Sequence, residues 1–180
     1  MKRKRYDVVV VLGSPSDADE AQKSDLHAIF STAKIRWKLM YASAHRHPDD
    51  LRLACSDLYV AGTRLFIGMV GLKPDLPAAI ASAVPGAVVI GVARTTPSLG
   101  ALDPAGSIAT MPPGTPVAVA GYNAVGLTNA AILVWEILAI GRPARERALL
   151  EFKAGYKAGP ELDVPTDALR KPTKKAETAQ

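Results

Sequence analysis

The sequence predicts one α/β domain built on a parallel sheet with helices on both faces. Two observations carry that expectation. β-Branched apolar runs recur along the chain, and segments with a helical apolar stripe separate them. The 180 residues, 48% hydrophobic and 22% charged, suit one globular domain with a core that needs no disulfide or metal staple.

Tyr6–Leu12 (YDVVVVL) is an uninterrupted apolar run ending at Gly13, as expected of a strand buried on both faces. From Ser16 to about Lys34, Ala21, Leu26, Ile29, Phe30 and Ala33 mark a helical stripe. Ile35–Ala42 returns to strand composition, and Pro48 opens a second helix running to about Gly62. Arg64–Val70 is a third strand, Leu76–Val84 a short helix and Ala87–Ala93 a fourth strand. Arg94–Pro116 is rich in Gly and Pro without strong periodicity and reads as a long connection, a length that points to function or to packing against a neighbour. Pro116–Gly121 is a short fifth strand, followed by a long apolar helix from about Ala124 to Ile140. The expected organisation is a basic tag over residues 1–5, the α/β domain over 6–141, a charged C-terminal helix within 142–158 and a polar, mobile tail over 159–180.

Charge and composition exclude several classes. The net charge of +5 sits on the ends: residues 2–5 carry +4 and residues 142–180 carry +3, while residues 6–141 carry −2. A nucleic-acid module would carry a basic face on its folded body, with aromatics for single strands. Aromatics are only 6%, so no nucleic-acid partner is expected. The longest apolar stretches, such as Ala130–Trp135, fall short of a membrane span. Met1–Arg5 is basic, but no small-residue cleavage site follows the apolar run, so a strand is expected there and not a secretory leader. A cytoplasmic location follows as the expectation. The one cysteine, Cys55, falls in the second helix and reads as a packed residue, and His27 lies mid-helix with no role.

In parallel sheets ligands sit beyond the carboxyl ends of the strands, so the loops after the first three strands are where chemistry is sought. After the first strand stands Gly13-Ser14-Pro15-Ser16-Asp17. Gly13 permits a tight turn, and the exposed amides of a helix start attract a phosphate. Asp17 can accept two ribose hydroxyls, although a plain N-cap accounts for the same residues. After the second strand stands Ser43-Ala44-His45-Arg46-His47-Pro48. Arg46 suits bidentate recognition of phosphate or carboxylate, and a histidine beside it suits proton transfer near neutral pH. Two histidines separated by one residue on an extended chain point to opposite sides, so no metal site is expected. After the third strand stands Gly68–Pro77, where Gly71 lets backbone approach a ligand, Lys73 is cationic and Asp75 either acts in the site or caps the next helix.

Taken together, these loops resemble a known family. GSPSD at 13–17 is similar to the GSxSD turn of the class I N5-carboxyaminoimidazole ribonucleotide mutases of purine biosynthesis, called PurE, and SAHRHP at 43–48 to their SAHRTP. Leu76-Pro77 matches the LP after their third strand. Ser107-Ile108, Met111-Pro112, Gly114 and Pro116-Val117 resemble their SIxxMPxGxPV stretch, and Asn129-Ala130-Ala131 with Ile137-Leu138 their NAALLAxxIL helix. The resemblance runs in order over roughly Val8–Ala139 and leaves out both tails.

It implies a flavodoxin-like three-layer sandwich that assembles as a homo-octamer. The implied reaction moves a carboxylate from the exocyclic nitrogen of phosphorylated aminoimidazole ribonucleotide to ring carbon 4. Carbon dioxide is its intermediate, and no cofactor or metal takes part. His45 would shuttle the proton; Ser14, Asp17 and Arg46 would hold ribose and phosphate, and Ser16 and Ser43 would line the same pocket. The third loop departs from the family's GAGGAAHLPG. Gly71 is kept, Leu72 and Lys73 replace smaller residues, and Asp75 replaces the loop's histidine. Ala18 stands for the usual tryptophan and His47 for threonine. The substrate-anchoring end is retained and the reacting end rebuilt, with Asp75, Gly71 and Lys73 as its candidate residues. The SAHK and AGRSN signatures of the direct carboxylase branch are absent. A decarboxylase or carboxylase of the 4-carboxy compound, an enzyme of another phosphorylated heterocycle and a non-catalytic nucleotide-binding protein stand as alternatives.

Overall fold

The computed structural model describes residues 4–71, 75–95 and 102–157, with backbone only at 102–105 and 157. Five strands form one all-parallel sheet in the order β2-β1-β3-β4-β5. They are β1 (Val8–Leu12), β2 (Trp37–Tyr41), β3 (Leu65–Val70), β4 (Val88–Ala93) and β5 (Ala118–Tyr122). The helices are α1 (Ala18–Lys23), α2 (Leu26–Thr32), α3 (Pro48–Val60), α4 (Asp75–Ala83), α5 (Leu102–Ala109), α6 (Asn123–Ala139) and α7 (Pro143–Ala154). This is the flavodoxin-like order, a doubly wound three-layer α/β fold.

The unbroken Val run of β1 reflects its central place. All five of its side chains are fully buried, and their alternation feeds two separate cores. Val8, Val10 and Leu12 join Ile67, Met69 and Val92 beneath α2 and α6, around Phe30, Leu127 and Trp135. Val9 and Val11 join Phe66 and Val89 on the other face, beneath Leu51 and Cys55 of α3, Leu76 and Ile80 of α4 and Ile108 of α5. Burying each such aliphatic side chain contributes about 1.5–3 kcal/mol.

The structure departs from the sequence reading in three places. The first helical stretch is two helices, because the chain turns at Ser24 and Asp25, where the Asp25 amide donates to Thr128 Oγ1 on α6 (3.0 Å). The connection after Arg94 contains α5, whose Ile108 fills the core under Gly91. β5 begins at Ala118, two residues later than expected. The long apolar helix α6 is packed on two sides within the chain. One side covers the sheet, and α7 covers another through Leu149 and the Trp135–Phe152 ring contact at 5.3 Å. Residues 1–3 of the expected tag over 1–5, and the expected tail over 159–180, lie outside the described residues.

Candidate active site

The winding reverses between β1 and β3. β1 leads into α1 and α2 on one face, and β3 leads into α4 on the other. The loops leaving these adjacent strands therefore diverge and open a crevice at the carboxyl edge of the sheet. A cleft of about 400 Å³ lies there. Gly13, Ser14, Ser16 and Asp17 line it from the first loop, and Ser43, Ala44, His45 and Arg46 from the second. Val70, Gly71, Leu76 and Arg94 complete the wall.

The first loop is stiffened from both ends. The Gly13 amide donates to the Met69 carbonyl (3.2 Å), extending the ladder between β1 and β3. The Ser14 amide donates to Asp17 Oδ2 (2.9 Å), and the Asp17 amide returns to the Ser14 carbonyl (3.1 Å). A 3-10 turn at Pro15–Asp17 results, with Ser14 Oγ and Ser16 Oγ 2.6 Å apart. Asp17 is only 2% exposed and lies against Arg94, with Nε 2.8 Å from Oδ1. Burial pushes the Asp17 carboxyl above its ordinary value, against the opposing pull of the Ser14 amide and Arg94.

The second loop continues from β2. The Ala42 amide donates to the Leu12 carbonyl (3.0 Å), and the Arg46 amide to Ser43 Oγ (3.2 Å). Pro48 then starts α3, its missing N–H costing nothing at that position. His45 projects from this turn, and its Nε2 lies 2.7 Å from Asp75 Oδ2 at the start of α4. Both side chains are more than half exposed, at 51% and 62%.

Seven of the residues singled out from sequence thus meet at one cleft: Ser14, Ser16, Asp17, Ser43, His45, Arg46 and Gly71. Asp75 joins through its contact with His45, and Lys73 lies outside the described residues. The Asp17 carboxylate, expected to take ribose hydroxyls, is already engaged by Ser14 and Arg94. Arg94 was missed. Its signal was a lone guanidinium directly after the apolar run of β4, at a strand carboxyl end. Cys55 is fully buried, which pushes its thiol up to about 11. His27 packs edge-on against Trp37 at 6.0 Å, outside this cleft. Among the described residues, no three His, Cys, Asp or Glu side chains gather as a metal site. No helix among them is long and apolar enough to cross a membrane.

Comparison with known proteins points the same way. Residues 7–158 match the model of the family described as AIR carboxylase. A probable N5-carboxyaminoimidazole ribonucleotide mutase of Methanothermobacter thermautotrophicus is 36% identical over 149 residues, covering 83% of this chain and 43% of that protein. The chain thus spans less than half the length of this relative. The N5-carboxyaminoimidazole ribonucleotide mutase of Thermotoga maritima is 33% identical over 150 residues, covering 83% of this chain and 85% of its own. In fold, Treponema denticola PurE superimposes with a TM-score of 0.72 at 20% identity, over 83% of this chain and 90% of that one.

Proposed function

The chain belongs to the AIR carboxylase family, and we propose that it is a carboxyaminoimidazole ribonucleotide mutase of purine biosynthesis. The observation that carries this reading is the meeting of the Ser14–Asp17 turn, Ser43, His45 and Arg46 in one cleft at the topological switch point. The relatives' names supply the substrate class, and the side chains supply the chemistry. Serine hydroxyls and the Arg46 guanidinium bind a sugar phosphate, leaving the imidazole ring to face His45.

The reaction needs little beyond orientation and one proton carrier. The bond between the exocyclic nitrogen and the carboxyl carbon breaks, and its electron pair returns to nitrogen. Protonated His45 gives that nitrogen a proton, and carbon dioxide stays in the cleft. Ring carbon 4, nucleophilic through the enamine-like ring, then attacks the carbon dioxide. His45 takes the proton that carbon 4 releases and returns to its starting state. Atoms and charges balance without a cofactor or a metal.

One observation favours a second reading. The reacting end, His45 and Asp75, is more than half exposed, and an open cleft would release carbon dioxide and make the protein a decarboxylase of the 4-carboxy compound. Incubation with the 4-carboxy and N5-carboxy isomers separately, followed by chromatography and mass, distinguishes the two. Interconversion supports the mutase; aminoimidazole ribonucleotide formed from the 4-carboxy isomer faster than without protein supports the decarboxylase. No change in either isomer beyond that seen without protein contradicts both.

A homo-octamer and a cytoplasmic location belong to the same proposal. Val119 on β5 and Val125 and Ile140 at the ends of α6 are exposed apolar side chains, at 43%, 70% and 77%, that a second copy would cover. Light scattering that reports a monomer would remove the octamer from the proposal.

A further inference from the structure

Arg94 follows β4 directly, and its backbone is held on both sides. Its amide donates to the Val70 carbonyl (2.8 Å), and the Thr95 amide donates to Asn123 Oδ1 (2.9 Å) at the start of α6. The side chain therefore leaves from a fixed point at the carboxyl edge of the sheet and forms part of the cleft wall.

Its contact with Asp17 is one-sided. A guanidinium committed to a carboxylate often takes it through two parallel N–H groups, as Arg36 takes Asp7. Here Nε lies 2.8 Å from Asp17 Oδ1, yet this buried nitrogen has no acceptor at a hydrogen-bonding angle among the described residues. Nη1 reaches the Ser16 carbonyl only at 3.5 Å. Asp17 offsets the charge, but the fork of the guanidinium is not spent on it.

We propose that Arg94 binds an anionic group of the ligand, a phosphate or a carboxylate, and that Asp17 positions it for this. The inference rests on the cleft being the substrate site and deepens that reading. A carboxylated ribonucleotide has two anionic ends, and the cleft wall holds two guanidinium groups, Arg46 and Arg94. Arg46 stands on the exposed polar turn of the second loop, whereas the Arg94 amide is tied to β3 through the Val70 carbonyl. Such a fixed, partly desolvated fork selects for charge and for planar oxygen geometry at that end of the cleft.

Binding of two separate probes to the wild type and to Arg94→Gln tests this: ribose 5-phosphate, and the 4-carboxy-5-aminoimidazole ribonucleoside that lacks phosphate. A loss of about tenfold or more on the first probe assigns Arg94 to phosphate, and on the second to carboxylate. Arg94→Lys should recover part of the loss, because it keeps the charge without the fork. Asp17→Asn should weaken the same probe, and adding Arg94→Gln to it should cost little more, since the two act as one unit. The double variant also leaves no uncompensated buried charge, so thermal melts can separate binding from folding. Equal affinity of wild type and Arg94→Gln for both probes, or no binding of either by the wild type, overturns the inference. Failure of the mutase reading is separate: it is absence of isomer conversion while the Arg94-dependent binding persists.

Discussion

His45 Nε2 and Asp75 Oδ2 stand 2.7 Å apart although they leave the carboxyl ends of β2 and β3, two strands with β1 between them. An imidazole that gives its Nε2 proton to this carboxylate presents Nδ1 as its acceptor, so the pair sets the tautomer as well as the ring's direction. The contact joins the second loop to the start of α4.

On the proposed mechanism the pair serves proton transfer and not binding. His45→Asn is expected to lower kcat by ~100-fold or more while ligand affinity changes only a few-fold. Asp75→Asn is expected to lower kcat by ~10-fold with KM little changed, and Asp75→Glu to recover part of it. Steady-state kinetics with direct binding by calorimetry checks both. A His45→Asn enzyme with normal kcat would remove His45 from the proton path.

Acid sensitivity should map onto Asp7. Burial alone would raise its carboxyl, but the Arg36 side chain and amide outweigh that and hold it below its ordinary value. Folding therefore gains from this group above the ordinary carboxylate range, and the gain is lost as pH falls through the lower folded value. Asp7→Asn should melt a few degrees below wild type at pH 7, with the gap closing below about pH 4. Melting curves across pH check it, and a gap that widens in acid would contradict it.

The join between β5 and α6 depends on a close backbone approach. A Cβ on Gly126 would lie 2.7 Å from the Gly121 carbonyl carbon and 2.8 Å from Val92 Cγ1. Gly126→Ala is expected to destabilise by about 1–3 kcal/mol, because backbone cannot yield as a flexible side chain can. Chemical denaturation measures this directly. A neutral result would mean that α6 can shift away from the sheet at no cost.

Cys55 should behave as a packed residue. With its thiol pushed up to about 11 by burial in the second core, it holds almost no thiolate near neutral pH. A thiol reagent at pH 7.5 should modify the native protein ~100-fold more slowly than the unfolded chain. Rapid native labelling would contradict this placement.

The strands and the first two loops were legible because their signals are local. A strand buried on both faces must be an unbroken apolar run, as β1 and β3 are, and Ser14–Asp17 and Ser43–Arg46 follow strand ends directly. What escaped depends on contacts distant in sequence. The break between α1 and α2 is stabilised by Thr128, 103 residues away from Asp25. Arg94 meets Asp17 only through the β1-β3-β4 order of the sheet. α5 lies in a Gly- and Pro-rich stretch whose apolar stripe is too short to show. For Asp75 the sequence offered a strong helix-cap reading beside the site reading, and its distance to His45 is what favours the second.

The most direct test follows the carboxylate itself. The N5-carboxy isomer, labelled with carbon-13 in that carboxylate, is given to the protein in unlabelled bicarbonate buffer, and the products are read by mass. A cleft that releases carbon dioxide and recaptures it predicts the 4-carboxy isomer with the label retained, and no such product from His45→Asn. A 4-carboxy product without label, or none beyond spontaneous decarboxylation, would contradict transfer within the cleft.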